Sequence, residues 1–145
     1  QMLVLAKSQQ RQLAVMFIDL DNFKEINDTM GHQVGDQLLK EVAFRLASCI
    51  ADNDIVSRLG GDEFVIVLPD IDGVADVHAM AAKILDISAL NYNILGSQQH
   101  VTVSIGVAIY PDHANDAQTL LQVADEAMYF SKKQGKNNYH APGIT

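Results

Sequence analysis

Two acids, Asp19 and Asp21, close a short apolar run, and two more, Asp62 and Glu63, follow directly on Gly60-Gly61. Carboxylates gathered in one place raise one another's pKa, so a cluster of them calls for a cation. Hard oxygen ligands with few histidines suit Mg²⁺, which takes one or two carboxylates and completes its shell with substrate phosphates. Such a cluster could hold a small phosphate-bearing molecule through the ion. An acid after a strand is ordinarily a solvated loop residue, and Gly-Gly is ordinarily a plain turn. Two consecutive acids after that turn are harder to explain in this way, since Glu63 opens a strand, where glutamate is depleted.

Other candidates stand apart from the acids. Asn27 and Asp36 flank Gly31-His32. An Asp at a helix start is ordinarily a partner for the helix dipole. A carboxylate can also accept two N–H bonds from the Watson–Crick edge of guanine, a donor pair that adenine lacks; comparable bidentate base contacts discriminate by roughly 1–3 kcal/mol. Lys132 and Lys136 stand four apart at the end of a helical stretch, where by themselves they read as a dipole-complementing surface pair. The five histidines show no metal-binding spacing, Ser104 lacks a nucleophile-elbow context, and there is no Walker-type glycine loop. The acids are therefore the strongest chemical candidate.

The elements around them follow from periodicity. Residues 13–18 read as a buried strand, 22–30 as a short helix stopped by Gly31, and 35–51 as a long amphipathic helix. Runs at 55–59 and 64–68 flank the Gly-Gly turn as a hairpin, with Pro69 and Asp70 ending the second strand. A second long helix spans about 74–88, residues 91–99 are irregular or a weak hairpin arm, and 101–109 alternate as a strand with a candidate bulge at Gly106. A third long helix, capped by Asn115 or Asp116, ends before Gly135, and Tyr139 belongs to a short last strand. The order is β-α-β-β-α-β, an α+β arrangement with helices on one face of a largely antiparallel sheet. With the first strand central and the hairpin beside it, the hairpin tip comes next to Asp19, and three or four carboxylates converge at one sheet edge.

At 145 residues the chain holds one domain. A composition of 48% hydrophobic and 19% charged residues excludes disorder. A net charge of −8 argues against gripping a nucleic acid, which needs many basic contacts. The single cysteine, Cys49, excludes an internal disulfide and points to a reducing, cytoplasmic compartment. No apolar run approaches the ~20 residues that span a bilayer, and no secretory leader is seen. Residues 1–12 read as the end of a linker helix arriving from upstream, so the chain looks like a piece of a longer protein, with the domain proper at 13–145.

These residues resemble the GGDEF domain of diguanylate cyclases. The resemblance rests on Phe17-Ile18-Asp19-Leu20-Asp21-Asn22-Phe23-Lys24-Glu25-Ile26-Asn27-Asp28, Gly31-His32, Gly35-Asp36, Arg58-Leu59-Gly60-Gly61-Asp62-Glu63-Phe64, Val103-Ser104-Ile105-Gly106, Ala124-Asp125 and the stretch from Lys132 to Asn137, in order. It implies an adenylyl-cyclase-like or polymerase-palm-like fold with a central, mostly antiparallel five-stranded sheet flanked by helices. It implies condensation of two GTP into cyclic di-GMP and two pyrophosphates, with one GTP on each subunit of a homodimer. Asp19, the Leu20 carbonyl and Asp62 would hold Mg²⁺ or Mn²⁺. Glu63 would assist at the metal or at the attacking 3′-hydroxyl, and Asp62 and Glu63 are the expected catalytic acids. Asn27 and Asp36 would read guanine, while Asn22, Phe23 and Lys24 with Lys132 and Lys136 would hold the phosphates. Fused sensor or EAL phosphodiesterase domains are expected in the full-length protein, with no membrane contact by this domain.

Three departures from the family pattern carry expectations. The Arg-x-x-Asp of product-inhibited members is Ala51-Asp52-Asn53-Asp54 here, so Asp54 is present without its arginine and feedback inhibition is expected to be weak or absent. Lys136 stands where arginine is common, offering a point charge rather than a fork. The family's upstream Asp-x-Leu-Thr-Gly-Leu-x-Asn-Arg segment is not among these residues, and isolated activity is expected to suffer. The alternative to an active cyclase is a GTP-binding regulatory module controlling an attached domain such as an EAL phosphodiesterase.

Overall fold

Unbroken apolar runs in the central strands give the sheet two faces to bury, and helices cover both. The computed structural model describes residues 2–143, so residue 1 of the expected linker helix and residues 144–145 of the expected domain lie outside it. The order is α1 (Met2–Gln9), β1 (Gln12–Leu20), α2 (Phe23–Met30), α3 (His32–Cys49), β2 (Ile55–Gly60), β3 (Glu63–Ile71), α4 (Val74–Ser88), β4 (Tyr92–Ile94), β5 (Ser97–Gln99), β6 (Val103–Tyr110), α5 (Ala117–Lys133) and β7 (Tyr139–His140). Five strands form one sheet in the order β2-β3-β1-β6-β7, and β4-β5 form a separate small hairpin. All pairings in the large sheet are antiparallel except β6–β7.

Side chains of a strand point alternately to its two faces. Ala14, Met16, Ile18 and Leu20 of β1 enter a core with α3 and α4, through Leu38, Val42, Leu46, Val77 and Ile84. Leu13, Val15 and Phe17 enter a second core with α1 and α5, through Ala6, Leu120, Ala124 and Met128. The one-faced arrangement expected from element order is thus corrected. Every residue of β1 from Leu13 to Ile18 is buried, which is the pattern of a central strand covered on both sides.

Two local expectations are also corrected. Pro69 does not end β3, which continues to Ile71; the register with β1 slips between Ala14↔Leu68 and Gln12↔Ile71, and proline, lacking an N–H, fits that irregularity. Gly106 is no bulge, since the β1–β6 register runs unbroken from Leu13↔Tyr110 to Leu20↔Val103. Its missing Cβ instead lets α5 lie directly on β6: a Cβ would collide with the Ala124 carbonyl oxygen and the Met128 nitrogen and come within 2.8 Å of the Ala127 carbonyl carbon. That close approach carries the end of α5 to the sheet edge where the acids lie. The expected cap is Asp116, whose carboxylate accepts from Thr119 N at 2.8 Å.

Candidate active site

Strand pairing brings the acids together. Asp19 is directly opposite Glu63 across β1–β3 and opposite Ser104 across β1–β6. By alternation all three face α5. Asp62 lies in the turn between β2 and β3, and its carbonyl accepts the Leu20 N–H at 3.2 Å, tying the hairpin tip to the end of β1. Gly61 takes the left-handed φ of 52° that this turn needs. Arg58 clamps the same tip, its Nε and Nη2 donating to the Gly61 carbonyl at 3.0 and 2.8 Å.

The Asp19 carboxyl is the electrostatic centre. Its Oδ1 is buried with no hydrogen-bond partner. Burial, the adjacent Asp62 carboxyl and the charges of Asp62 and Glu63 push its pKa up to about 7, against the pull of Lys132. Glu63 is raised too, by burial first and then by Asp125 on α5 and Asp62, again opposed by Lys132. Lys132 Nζ stands 3.5 Å from Asp19 Oδ2, and it donates to the Leu20 carbonyl at 3.3 Å. The ammonium therefore lies against two of the three groups expected to hold a metal.

Those groups fit a divalent cation. Asp19, Asp62 and the Leu20 carbonyl offer hard oxygens only, and Asp19 Oδ1 is an acceptor without a donor. Among the described residues no three His, Cys, Asp or Glu side chains form a cage for an ion by themselves. An open set of this kind suits Mg²⁺, which usually shares its ligands between protein and substrate phosphate.

Three of the four acids converge, Asp19, Asp62 and Glu63, while Asp21 does not join them. Its side chain is 1% exposed and turns into the protein. It accepts from Thr102 Oγ1 at 2.6 Å, Ser104 Oγ at 2.7 Å, the Asn137 N–H at 3.0 Å and Lys132 Nζ at 3.3 Å. One buried carboxyl thus joins the end of β1 to β6, α5 and the loop before β7. Arg58 and Asp125 have no role read from the sequence, and Asp21 is read there only as one of the clustered acids. The signal for Asp21 was available: Ser104 is a polar residue in an otherwise buried apolar strand, and such a residue needs a partner.

The phosphate candidates gather beside the acids. Asn22 precedes α2 with a φ of 62° and does not cap it. Its Oδ1 instead accepts from Lys136 Nζ at 2.7 Å. The first internal bond at this end of α2 runs from Ile26 N to Asn22 O, so the N–H groups of Phe23, Lys24 and Glu25 lack intrahelical partners. An uncapped helix start flanked by two lysines offers the donors and charge that an anion would use. Lys132 and Lys136 bond to Leu20 and Asn22 at this start, which goes beyond a dipole-complementing surface pair.

The expected base-reading residues lie on α2 and α3. Asn27 Oδ1 is buried without a partner. Asp36 is exposed and lines a cleft of about 380 Å³ with Leu39, Lys40, Ala43 and Arg58. Arg58 is common to this cleft and to the clamp on the hairpin tip. Asp54 stands elsewhere, its Oδ2 accepting from the Ala51 N–H at 2.9 Å. It helps line a separate cleft together with Asp70, Asp76 and Lys83.

The comparisons agree with this geometry. The family model "Diguanylate cyclase, GGDEF domain" matches residues 1–138. The diguanylate cyclase TpbB of Pseudomonas aeruginosa PAO1 is 40% identical over 134 residues, which cover 92% of this chain and 31% of that protein. The bifunctional diguanylate cyclase/cyclic di-GMP phosphodiesterase MucR of the same organism is 41% identical over 129 residues, covering 89% of this chain and 19% of that protein. The chain thus spans about a third or less of these curated relatives. The crystal structure of the TpbB GGDEF domain superposes with a TM-score of 0.96 at 38% identity, covering 99% of this chain and 90% of that one. A five-stranded sheet flanked by helices, the opposed acids at its edge and the match over nearly every residue lead to one assignment: the chain belongs to the GGDEF domain family of diguanylate cyclases.

Proposed function

We propose that this domain condenses two GTP into cyclic di-GMP and two pyrophosphates, with one GTP on each of two copies. In each step a 3′-oxygen bonds to the α-phosphorus of the opposite nucleotide, the α–β phosphoanhydride bond breaks, and the 3′-hydroxyl proton is lost. The observation that carries this reading is the opposition of Asp19 and Glu63 across β1–β3, with Asp19 Oδ1 unpartnered beside an uncapped helix start. Asp19, Asp62 and the Leu20 carbonyl would hold Mg²⁺, or Mn²⁺ in its place. When bound, such a cation would supply the Lewis acidity that stabilises developing phosphoryl charge and acidifies a hydroxyl nucleophile. The N–H groups of Phe23 and Lys24, with Lys132 and Lys136, bind the triphosphate, and Asn27 and Asp36 take the guanine. Glu63, its pKa raised, stands at the same edge and acts either on the cation or on the 3′-hydroxyl proton.

A dimer is supported by chemistry. The product contains two guanosines, while each chain offers one Asn27–Asp36 pair, so two copies must face each other across a two-fold axis. Among the described residues no helix is long and apolar enough to cross a membrane. A cytoplasmic site of action fits a GTP substrate. Attached sensor or phosphodiesterase domains are proposed by analogy with MucR. The alternative of a turnover-silent regulatory module has no observation in its favour, because each acid and lysine expected at the site is present.

The test is incubation of the domain with GTP and Mg²⁺ over a range of protein concentrations, with chromatography for cyclic di-GMP and an assay for pyrophosphate. Formation of one cyclic di-GMP per two pyrophosphates, at a rate rising more than linearly with protein, is expected. Asp62→Ala should be silent; turnover surviving in that variant would remove the metal assignment.

A further inference from the structure

We infer that Gly35 is a specificity-determining position: by lacking a Cβ it leaves the slot in which the Asn27 carboxamide is held for base recognition. This rests on the proposed reading in which Asn27 and Asp36 take the guanine.

Gly35 is buried in the second turn of α3, its N–H donating to the Gly31 carbonyl at 3.1 Å. Its φ lies outside the left-handed region, so the backbone does not require glycine there. Glycine inside a helix weakens it relative to alanine. The reason for glycine is therefore in what lies beside it. A Cβ at position 35 would collide with Asn27 Oδ1, stand 3.0 Å from Asn27 Cγ and stand 3.3 Å from Phe23 Cζ.

Asn27 Oδ1 is itself buried with no donor. A buried acceptor lacking a partner is costly unless a ligand supplies one. The colliding atoms are the end of a flexible side chain rather than backbone. A methyl group at position 35 would thus be absorbed by rotating Asn27 away, leaving the fold intact and the amide misplaced. Gly106 is the contrast, since a Cβ there meets the backbone of α5. Gly35 directly precedes Asp36, so one stretch of α3 would both position the Asn27 amide and present the carboxylate to the base.

The experiment compares wild type, Gly35→Ala, Asn27→Ala and the double variant by thermal melting and by calorimetric titration with nonhydrolysable GTP and ATP analogues in Mg²⁺. Gly35→Ala should melt no lower than wild type, lose about tenfold in affinity for the GTP analogue and leave ATP-analogue affinity unchanged. The double variant should bind like Asn27→Ala alone. The inference is overturned by wild-type GTP-analogue affinity in Gly35→Ala, by equal losses for both nucleotides, by a lowered melting temperature, or by a further loss in the double variant. If Asn27→Ala itself binds the GTP analogue like wild type, the base-reading assignment fails and the inference goes with it; a loss there with none in Gly35→Ala defeats the inference alone.

Discussion

Lys132 Nζ donates to the Leu20 carbonyl at 3.3 Å while standing 3.5 Å from Asp19 Oδ2. An ammonium on α5 thus faces two oxygens at the end of β1 that would ligate a cation. On the proposed reading, Lys132 and a divalent ion would compete for those oxygens, and a bound triphosphate would remove the conflict by giving the lysine another anionic partner.

Lys132→Met should therefore tighten Mn²⁺ binding to the nucleotide-free domain while weakening a GTP analogue. At a few ångströms and partial exposure the competing charge is worth on the order of 1 kcal/mol, or roughly tenfold at most. Free Mn²⁺ measured by electron paramagnetic resonance decides it. Mn²⁺ affinity that is unchanged or weaker in the variant would show that Lys132 does not contest the site.

The Asp19 pKa of about 7 gives metal binding a pH dependence. A cation needs the ionised carboxylate, so affinity should rise with pH and level off above about 7. Binding at pH 6 should release close to one proton, read from calorimetry in two buffers of different ionisation enthalpy. The stability effect has the opposite sense: Asp19 is protonated in the metal-free fold but ionised in the unfolded chain between about 4 and 7, so its contribution falls as pH rises through that window. Asp19→Asn should remove the Asp19 share of both dependences, leaving the smaller one from Glu63.

Asp21 is predicted to act through structure. Asp21→Ala leaves Ser104 Oγ, the Asn137 N–H and Lys132 without their shared acceptor, and breaking such a buried network costs about 3 kcal/mol. Urea unfolding should show that loss, with a smaller one for Asp21→Asn. A variant as stable as wild type would return Asp21 to the list of metal-ligand candidates.

Feedback by cyclic di-GMP through the Ala51–Asp54 turn should be weak or absent. Ala51 offers no guanidinium, and Asp54 already accepts the Ala51 N–H. The cleft nearby carries Asp54, Asp70 and Asp76, an unfavourable lining for an anionic product. Calorimetric titration of cyclic di-GMP should reveal no tight binding that depends on Asp54.

Much of this molecule is legible along the chain because the signals are local. The unbroken apolar run marks β1, alternation marks β6, Gly60-Gly61 marks the hairpin, and the ordered acids and glycines mark the family. Local patterns also mislead where a distant segment supplies the reason. Pro69 looks like a strand end until the register slip against β1 is seen, and Gly106 looks like a bulge until α5 is found lying on it.

Sidedness is legible only in part. The unbroken apolar run of β1 fits burial on both faces, but which helices cross over which side depends on contacts between segments far apart in sequence. The same holds for the two aspartates at the end of β1. Spacing alone gives Asp19 and Asp21 equal standing. Folding separates them, because Ser104, Thr102 and Asn137 close around one carboxyl and leave the other with a buried oxygen unpaired.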